Sequence, residues 1–200
     1  MAGMDRRQLL KSLASAPIAA VAINWTEAEA HAATEAAQAA RQTAQRTQKP
    51  YAPKFFTAHE WATVGILVDL IIPKDKKSGS ATDAGVPEFM DFMCIDQPTR
   101  QSAMRGGLAW LDSECHRRHD KTFVACTDAQ RRAVLDDISW PRRAKPEMSH
   151  GVNFFNSFRD LTASGFFTSK IGMADLEYKG NTVVPEFVGC PPEVLKKLGL

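Results

Sequence analysis

The sequence predicts a mostly α protein: a single helical domain with an irregular C-terminal quarter, preceded by a signal peptide and a linker. Three observations carry that prediction. Apolar residues recur at helical spacing in several runs that end at Pro or Gly. Two of the runs open with a capping box, in which a Thr hydroxyl and a Glu or Gln three residues on satisfy each other's backbone amides. No segment alternates apolar and polar residues as a half-buried strand does.

Taken in order, residues 1–32 read as a twin-arginine signal peptide, 33–54 as a linker and 55–200 as the helical domain. Arg6 and Arg7 stand directly before an apolar stretch, Leu9 to Ile23, that is broken by Lys11, Ser12, Ser15 and Pro17. That stretch is too short and too mild for a stable membrane span. Paired arginines before a weakly hydrophobic core suit the twin-arginine route; an ordinary basic n-region of a general secretory signal is the plainer reading. Ala28-Glu29-Ala30 and Ala30-His31-Ala32 both offer the A-x-A pattern of a peptidase site. Residues 33–54 are rich in Ala, Gln, Thr and Arg and have no apolar stripe, so they predict a tether or a marginal helix rather than a core element.

Thr57-Ala58-His59-Glu60 is the first capping box, and Trp61, Val64, Leu67, Val68 and Ile71 follow on one face until Pro73. Residues 74–82 form a polar loop. Val86-Pro87 begins a helix that carries Phe89, Met90, Phe92 and Met93 and stops near Pro98. A longer helix runs from about Thr99 to His119, with Met104, Leu108, Leu111 and Cys115 on one face. The Gly106-Gly107 pair inside it costs about 1 kcal/mol per glycine against alanine, which points to close backbone packing or a kink. Thr127-Asp128-Ala129-Gln130 is the second box and opens a helix ending at Trp140-Pro141. Ser149 starts another, with Val152, Phe155, Phe158 and Leu161 on a face and Gly165 as its stop. Beyond Gly165 the pattern loosens into turns, with a last short helix at Glu193–Leu198.

Composition narrows the function classes. The formal charge of the whole chain is +2, with 25 Lys and Arg against 23 Asp and Glu, which argues against a nucleic-acid footprint. The sequence contains no G-x-G-x-x-G after a strand, no C-x-x-C-H for c-type haem, no C-x-x-C pair, no P-loop and no G-x-S-x-G elbow. Cys94, Cys115, Cys126 and Cys190 are an even set in a chain that reads as exported, so disulfides are chemically permitted. One or two bridges at most are expected, and Cys115 with Cys126 is the cheapest local pair because a short loop joins their helices. Cys115 and His119 also share a helix face, which with Cys126 could present metal ligands; the blander reading makes His116 and His119 solvated residues favoured at a helix C-terminus. Phe154, Phe155, Phe158, Phe166 and Phe167 either form an exposed docking patch or cover neighbouring loops.

Several runs, in order, resemble the gluconate 2-dehydrogenase subunit 3 family. They include Phe55-Phe56-Thr57-Ala58-His59-Glu60-Trp61, Asp69-Leu70-Ile71-Ile72-Pro73, Ala81-Thr82-Asp83-Ala84-Gly85-Val86-Pro87-Glu88-Phe89 and Gly106-Gly107-Leu108-Ala109-Trp110-Leu111-Asp112. The C-terminal half adds Arg159-Asp160-Leu161-Thr162, Gly165-Phe166-Phe167-Thr168-Ser169, Tyr178-Lys179-Gly180-Asn181 and Gly189-Cys190-Pro191. The resemblance implies a non-catalytic small subunit of a periplasmic, flavin-dependent sugar or glycoside dehydrogenase of the glucose–methanol–choline group. It implies no catalytic, cofactor-binding or metal-binding residue in this chain, FAD in a catalytic large subunit, and haem c in a cytochrome partner. It further implies that the arginine signal engages the twin-arginine translocase and carries the folded large subunit out as a hitch-hiker. Because aromatics dominate interface energetics, Trp61, Trp110, Phe154, Phe155, Phe166, Phe167 and Tyr178 are the expected partner contacts. Cys190 either bridges to that partner or stays internal or free. The alternative expectation is a stand-alone exported helical protein that binds a metal or another ligand.

Overall fold

The computed structural model describes residues 27–47, 51–178, 180 and 189–199, with side chains of the first segment described over 29–43. Arg6, Arg7 and the expected signal up to residue 26 lie outside the described residues, while residues 27–32, also assigned to the signal, are described and helical. The fold is mostly α, and the described residues contain no strand. Among the described residues nine α-helices succeed one another: α1 Glu27–Thr47, α2 Ala58–Ile71, α3 Ala81–Ala84, α4 Val86–Asp96, α5 Gln101–His119, α6 Asp128–Ser139, α7 Ser149–Phe167, α8 Lys170–Asp175 and α9 Pro192–Leu198. None of them is long and apolar enough to cross a membrane.

Local chemistry explains the starts. Thr57 Oγ1 accepts from the Glu60 amide at 3.3 Å, and Glu60 Oε2 accepts from the Thr57 amide at 2.8 Å. Thr127 and Gln130 repeat that exchange ahead of α6. Ser80 and Asp83 form a third box within the stretch expected to be loop, and it nucleates the single turn of α3. Gly85 ends α3 and begins α4 at φ 88°, a left-handed conformation that favours glycine.

Helix α7 is the hub: it packs against α1, α2, α3, α4, α5, α6 and α8. Gly165 does not stop it, as the sequence suggested. The helix passes straight through to Phe167, and Gly165 instead makes room for the Phe89 ring, which a Cβ would meet at 2.7 Å. Past α7, Ser169 Oγ accepts from the Gly172 amide at 3.1 Å and caps the short α8. A helix of six residues is too short to display a period, which is why the pattern there looked irregular.

The largest difference from expectation concerns residues 33–47. They are helical, and Ala33, Thr34 and Ala37 are buried where α1 lies along α4. The stripe was invisible because it consists of small residues that fit a close helix crossing without registering as strongly hydrophobic. Polar tethers hold it: Thr34 Oγ1 meets Thr168 Oγ1 at 2.6 Å, and the Arg41 guanidinium donates to the Asp83 and Thr82 carbonyls at 2.6 and 2.8 Å. Arg41 Nε also lies 3.3 Å from Glu88 Oε1.

Burial pushes the Glu88 carboxyl above its ordinary value, although its own backbone amide and Arg41 pull the other way. Its Oε2 is buried with no hydrogen-bond partner among the described residues. A raised folded-state value means that the stabilisation linked to this proton is complete below the unfolded value near 4.5 and is lost as pH rises through the folded value. Glu88→Gln keeps an acceptor for Arg41 and removes the buried charge. Its stability relative to wild type is therefore expected to improve as pH rises from 4.5 to neutrality. Urea melts of both proteins across that range read the difference, and a variant that loses ground with rising pH contradicts the assignment.

A candidate interaction surface

Helix α2 supplies the first part of the site. Its inner face, Thr63, Val64, Leu67 and Val68, is buried. Its outer face carries Trp61, Ala62, Gly65, Ile66 and Leu70, so the helix is apolar on both sides. With Asp69 and Thr82 these residues line a shallow hollow of about 530 Å³. Trp61 is fixed by ring contacts to Tyr51 at 5.3 Å and Phe56 at 6.3 Å. Asp69, the one acidic side chain in the hollow, accepts from the Thr82 amide at 2.8 Å and the Thr82 hydroxyl at 2.6 Å. Such a face presents apolar area with its polar group already satisfied, the character of the buried centre of a subunit contact.

A second concavity of about 870 Å³ lies between α5, α6 and the 140–148 turn. Trp110 forms one wall, held by α7: a Cβ on Gly151 would meet its ring at 2.3 Å. Trp140, 63% exposed, forms the other, with the Arg143 guanidinium 5.9 Å from its ring centre. The floor is an ion network. Glu114, itself buried, accepts from Arg117 Nε at 2.9 Å and Nη2 at 2.6 Å, and from Arg118 Nε at 2.6 Å. Arg118 also reaches Asp137 on α6 at 2.7 Å. The Arg117 hydrogen bonds hold the Glu114 carboxyl below its ordinary value despite burial. The Arg118–Asp137 ion pair of this network ties α5 to α6.

The expected contact aromatics divide. Trp61 and Trp110 are half-buried on these two surfaces. Phe167 is 39% exposed and Tyr178 60% exposed, and both lie near α8. Phe154, Phe155 and Phe166 are buried in this chain's own core, so they are not surface contacts. The reason is the central place of α7: with helices on several sides, consecutive phenylalanines can both be covered. Trp140, Ile66 and Leu70 were not singled out from the sequence. The apolar excess of α2 beyond a single stripe was the available signal for the last two.

Cys94, Cys115 and Cys126 are buried thiols and Cys190 is an exposed one. Burial pushes the Cys94 and Cys115 thiols up to about 12. The ligand set Cys115, His119 and Cys126 is not assembled, since no group of three or more His, Cys, Asp or Glu placed to hold a metal occurs among the described residues.

Compared with known proteins, residues 58–185 match the family model described as gluconate 2-dehydrogenase subunit 3. No curated protein and no solved structure gives a match to set beside it. The matched region runs from the first turn of α2 past α8 and so contains both surfaces together with the α7 hub. On that match, covering well over half of its length, the chain belongs to the gluconate 2-dehydrogenase subunit 3 family, accessory subunits of dehydrogenase complexes.

Proposed function

We propose that this chain is the non-catalytic small subunit of a flavin-dependent sugar or glycoside dehydrogenase of the glucose–methanol–choline type. It binds the folded, FAD-loaded large subunit, stabilises that state by mass action and carries it through the twin-arginine pathway to the periplasm. There the complex hands electrons to a c-type cytochrome. The observation that supports a binding role best is the outer face of α2, where Trp61, Ala62, Gly65, Ile66 and Leu70 line a shallow apolar hollow and are only partly covered, on a helix whose other side is already packed. The family match supports the kind of partner.

The test is a pull-down of the tagged chain from its native periplasm, with absorption spectra and mass spectrometry. A flavoprotein in near-equal amount is the expected result; a colourless monomer sinks the proposal. Gly65→Lys then locates the contact. A Cβ at Gly65 meets nothing within 4 Å, and glycine costs a helix about 1 kcal/mol against better formers. The variant should melt at or above the wild-type temperature while binding the large subunit at least about tenfold more weakly, as a charge in a desolvated apolar contact demands. Unchanged affinity would move the contact off α2.

A further inference from the structure

We infer that the docked α1 shields the bonds at which a signal peptidase would process this chain, so that cleavage waits until α1 leaves the core. Both A-x-A sites, Ala28-Glu29-Ala30 and Ala30-His31-Ala32, fall at the start of α1, which begins at Glu27. Such a site asks for two small side chains, two residues apart, that point the same way. An extended backbone supplies that arrangement, because residues i and i+2 share one face of a strand. A helix does not, since its shared face is made by residues three and four apart. The two alanines of the second site show the result: Ala30 is 6% exposed, whereas Ala32 faces solvent.

The same stretch is bound into the fold. Ala30, Ala33, Thr34 and Ala37 recur at helical spacing and are all buried, on the side of α1 that lies along α4. Thr34 Oγ1 meets the Ala30 carbonyl at 2.8 Å and Thr168 Oγ1 at 2.6 Å. Further along, Arg41 holds the Asp83 and Thr82 carbonyls and Glu88. A protease acts on the opened fraction of a folded chain. Opening here must unwind the start of α1 and lift Ala30, Ala33 and Thr34 from cover together. Hydrolysis then breaks the C–N bond after Ala30 or Ala32: water gives its hydroxyl to that carbonyl carbon and its proton to the amine of His31 or Ala33. The product keeps Ala33, Thr34, Ala37 and Arg41, and with them the means to dock again. A chain that folds before export therefore meets the peptidase closed and stays joined to its signal until α1 is released.

The inference rests on the signal reading of residues 1–32, and its test separates the two. Detergent-solubilised bacterial signal peptidase is given a synthetic peptide of residues 5–40 and, separately, the folded full-length chain, and mass spectrometry follows the products. The peptide should be cut after Ala30 or Ala32, and the folded chain at least about tenfold more slowly. A peptide left intact at both bonds overturns the signal reading and the inference with it. Equal rates for peptide and folded chain overturn the shielding alone. Two substitutions outside both A-x-A tripeptides tie the protection to α1. Ala37→Glu puts a charge into the close crossing with α4 and should bring the rate to within about threefold of the peptide. Arg41→Ala removes the ties to Thr82, Asp83 and Glu88, leaves the alanine face intact and should give a rate in between. Near-UV circular dichroism selects the variants whose core stays folded, and Arg41→Ala carries the comparison if Ala37→Glu does not. Wild-type resistance in the folded variants overturns the inference.

Discussion

Asp91→Ala is expected to lower stability by about 3–5 kcal/mol, a drop of roughly 6–20 °C in melting temperature for a chain of this size. Asp91 is fully buried on α4, and its two oxygens accept four hydrogen bonds. Oδ2 takes the Tyr51 hydroxyl at 2.8 Å and the Lys54 amide at 2.9 Å; Oδ1 takes the Phe55 amide at 2.9 Å and the Phe56 amide at 3.2 Å. Truncation strands four donors, and a buried donor without a partner costs about 1–3 kcal/mol. Partial access of water to Tyr51 keeps the total below the sum. Asp91→Asn should fall between, since its amide group offers donors where Tyr51 and Lys54 also donate. Equilibrium urea unfolding of the full chain measures all three proteins, and an alanine variant within 1 kcal/mol of wild type would show that the clamp does not hold the segment. The consequence extends to the surface, because Tyr51 is the ring on which Trp61 rests.

The second large effect is a difference of sign between neighbouring glycines. Gly106→Ala should stabilise by about 0.5–1 kcal/mol, because alanine favours the helix and its Cβ meets nothing within 4 Å. Gly107→Ala gains the same propensity but places its Cβ 1.8 Å from Phe154 Cδ2 and 2.2 Å from Phe154 Cγ. These are atoms near the base of a buried ring, and the ring cannot swing clear without disturbing its contact with Phe158, 5.4 Å away. Overpacking of this kind costs about 1–3 kcal/mol, so α5 and α7 must separate or Phe154 must leave its well. The two variants should therefore straddle wild type in thermal melts. Pairing Gly107→Ala with Phe154→Leu should recover part of the loss, whereas two independent losses would mean that the ring is not the obstacle.

How far the sequence revealed this arrangement depends on the size of the side chains involved. The boxes at Thr57–Glu60 and Thr127–Gln130 were readable because each needs only two residues at fixed spacing, and both form as expected. The runs Val86–Asp96 and Ser149 onward were readable from large apolar residues at helical period. The Ala33, Thr34 and Ala37 stripe was not, since its burial comes from fit rather than from hydrophobic mass. Phe154 and Phe155 were misplaced for the complementary reason. Their size announced burial or docking but not which, and only the helices around α7 decide it. On the candidate surface, Trp61 and Trp110 were legible as aromatics, while Trp140 read only as the end of a helix, because the sequence does not show that it lines the same concavity as Trp110.

The central place of α7 also sets a timetable. Ribosomes deliver this chain from its N-terminus, and although α1 can already lie along α4, the packing of α2, α4 and α5 is completed only by a helix that ends at Phe167. Until that residue has cleared the exit tunnel, Val64, Phe89 and Leu111 have no finished core to enter, so the nascent chain presents apolar faces to whatever surrounds it. Completion of the core is thus expected late in synthesis, after the N-terminal helix pairs have had the chance to meet. A stop codon anywhere before α7 would yield a fragment with no hub, open to proteolysis.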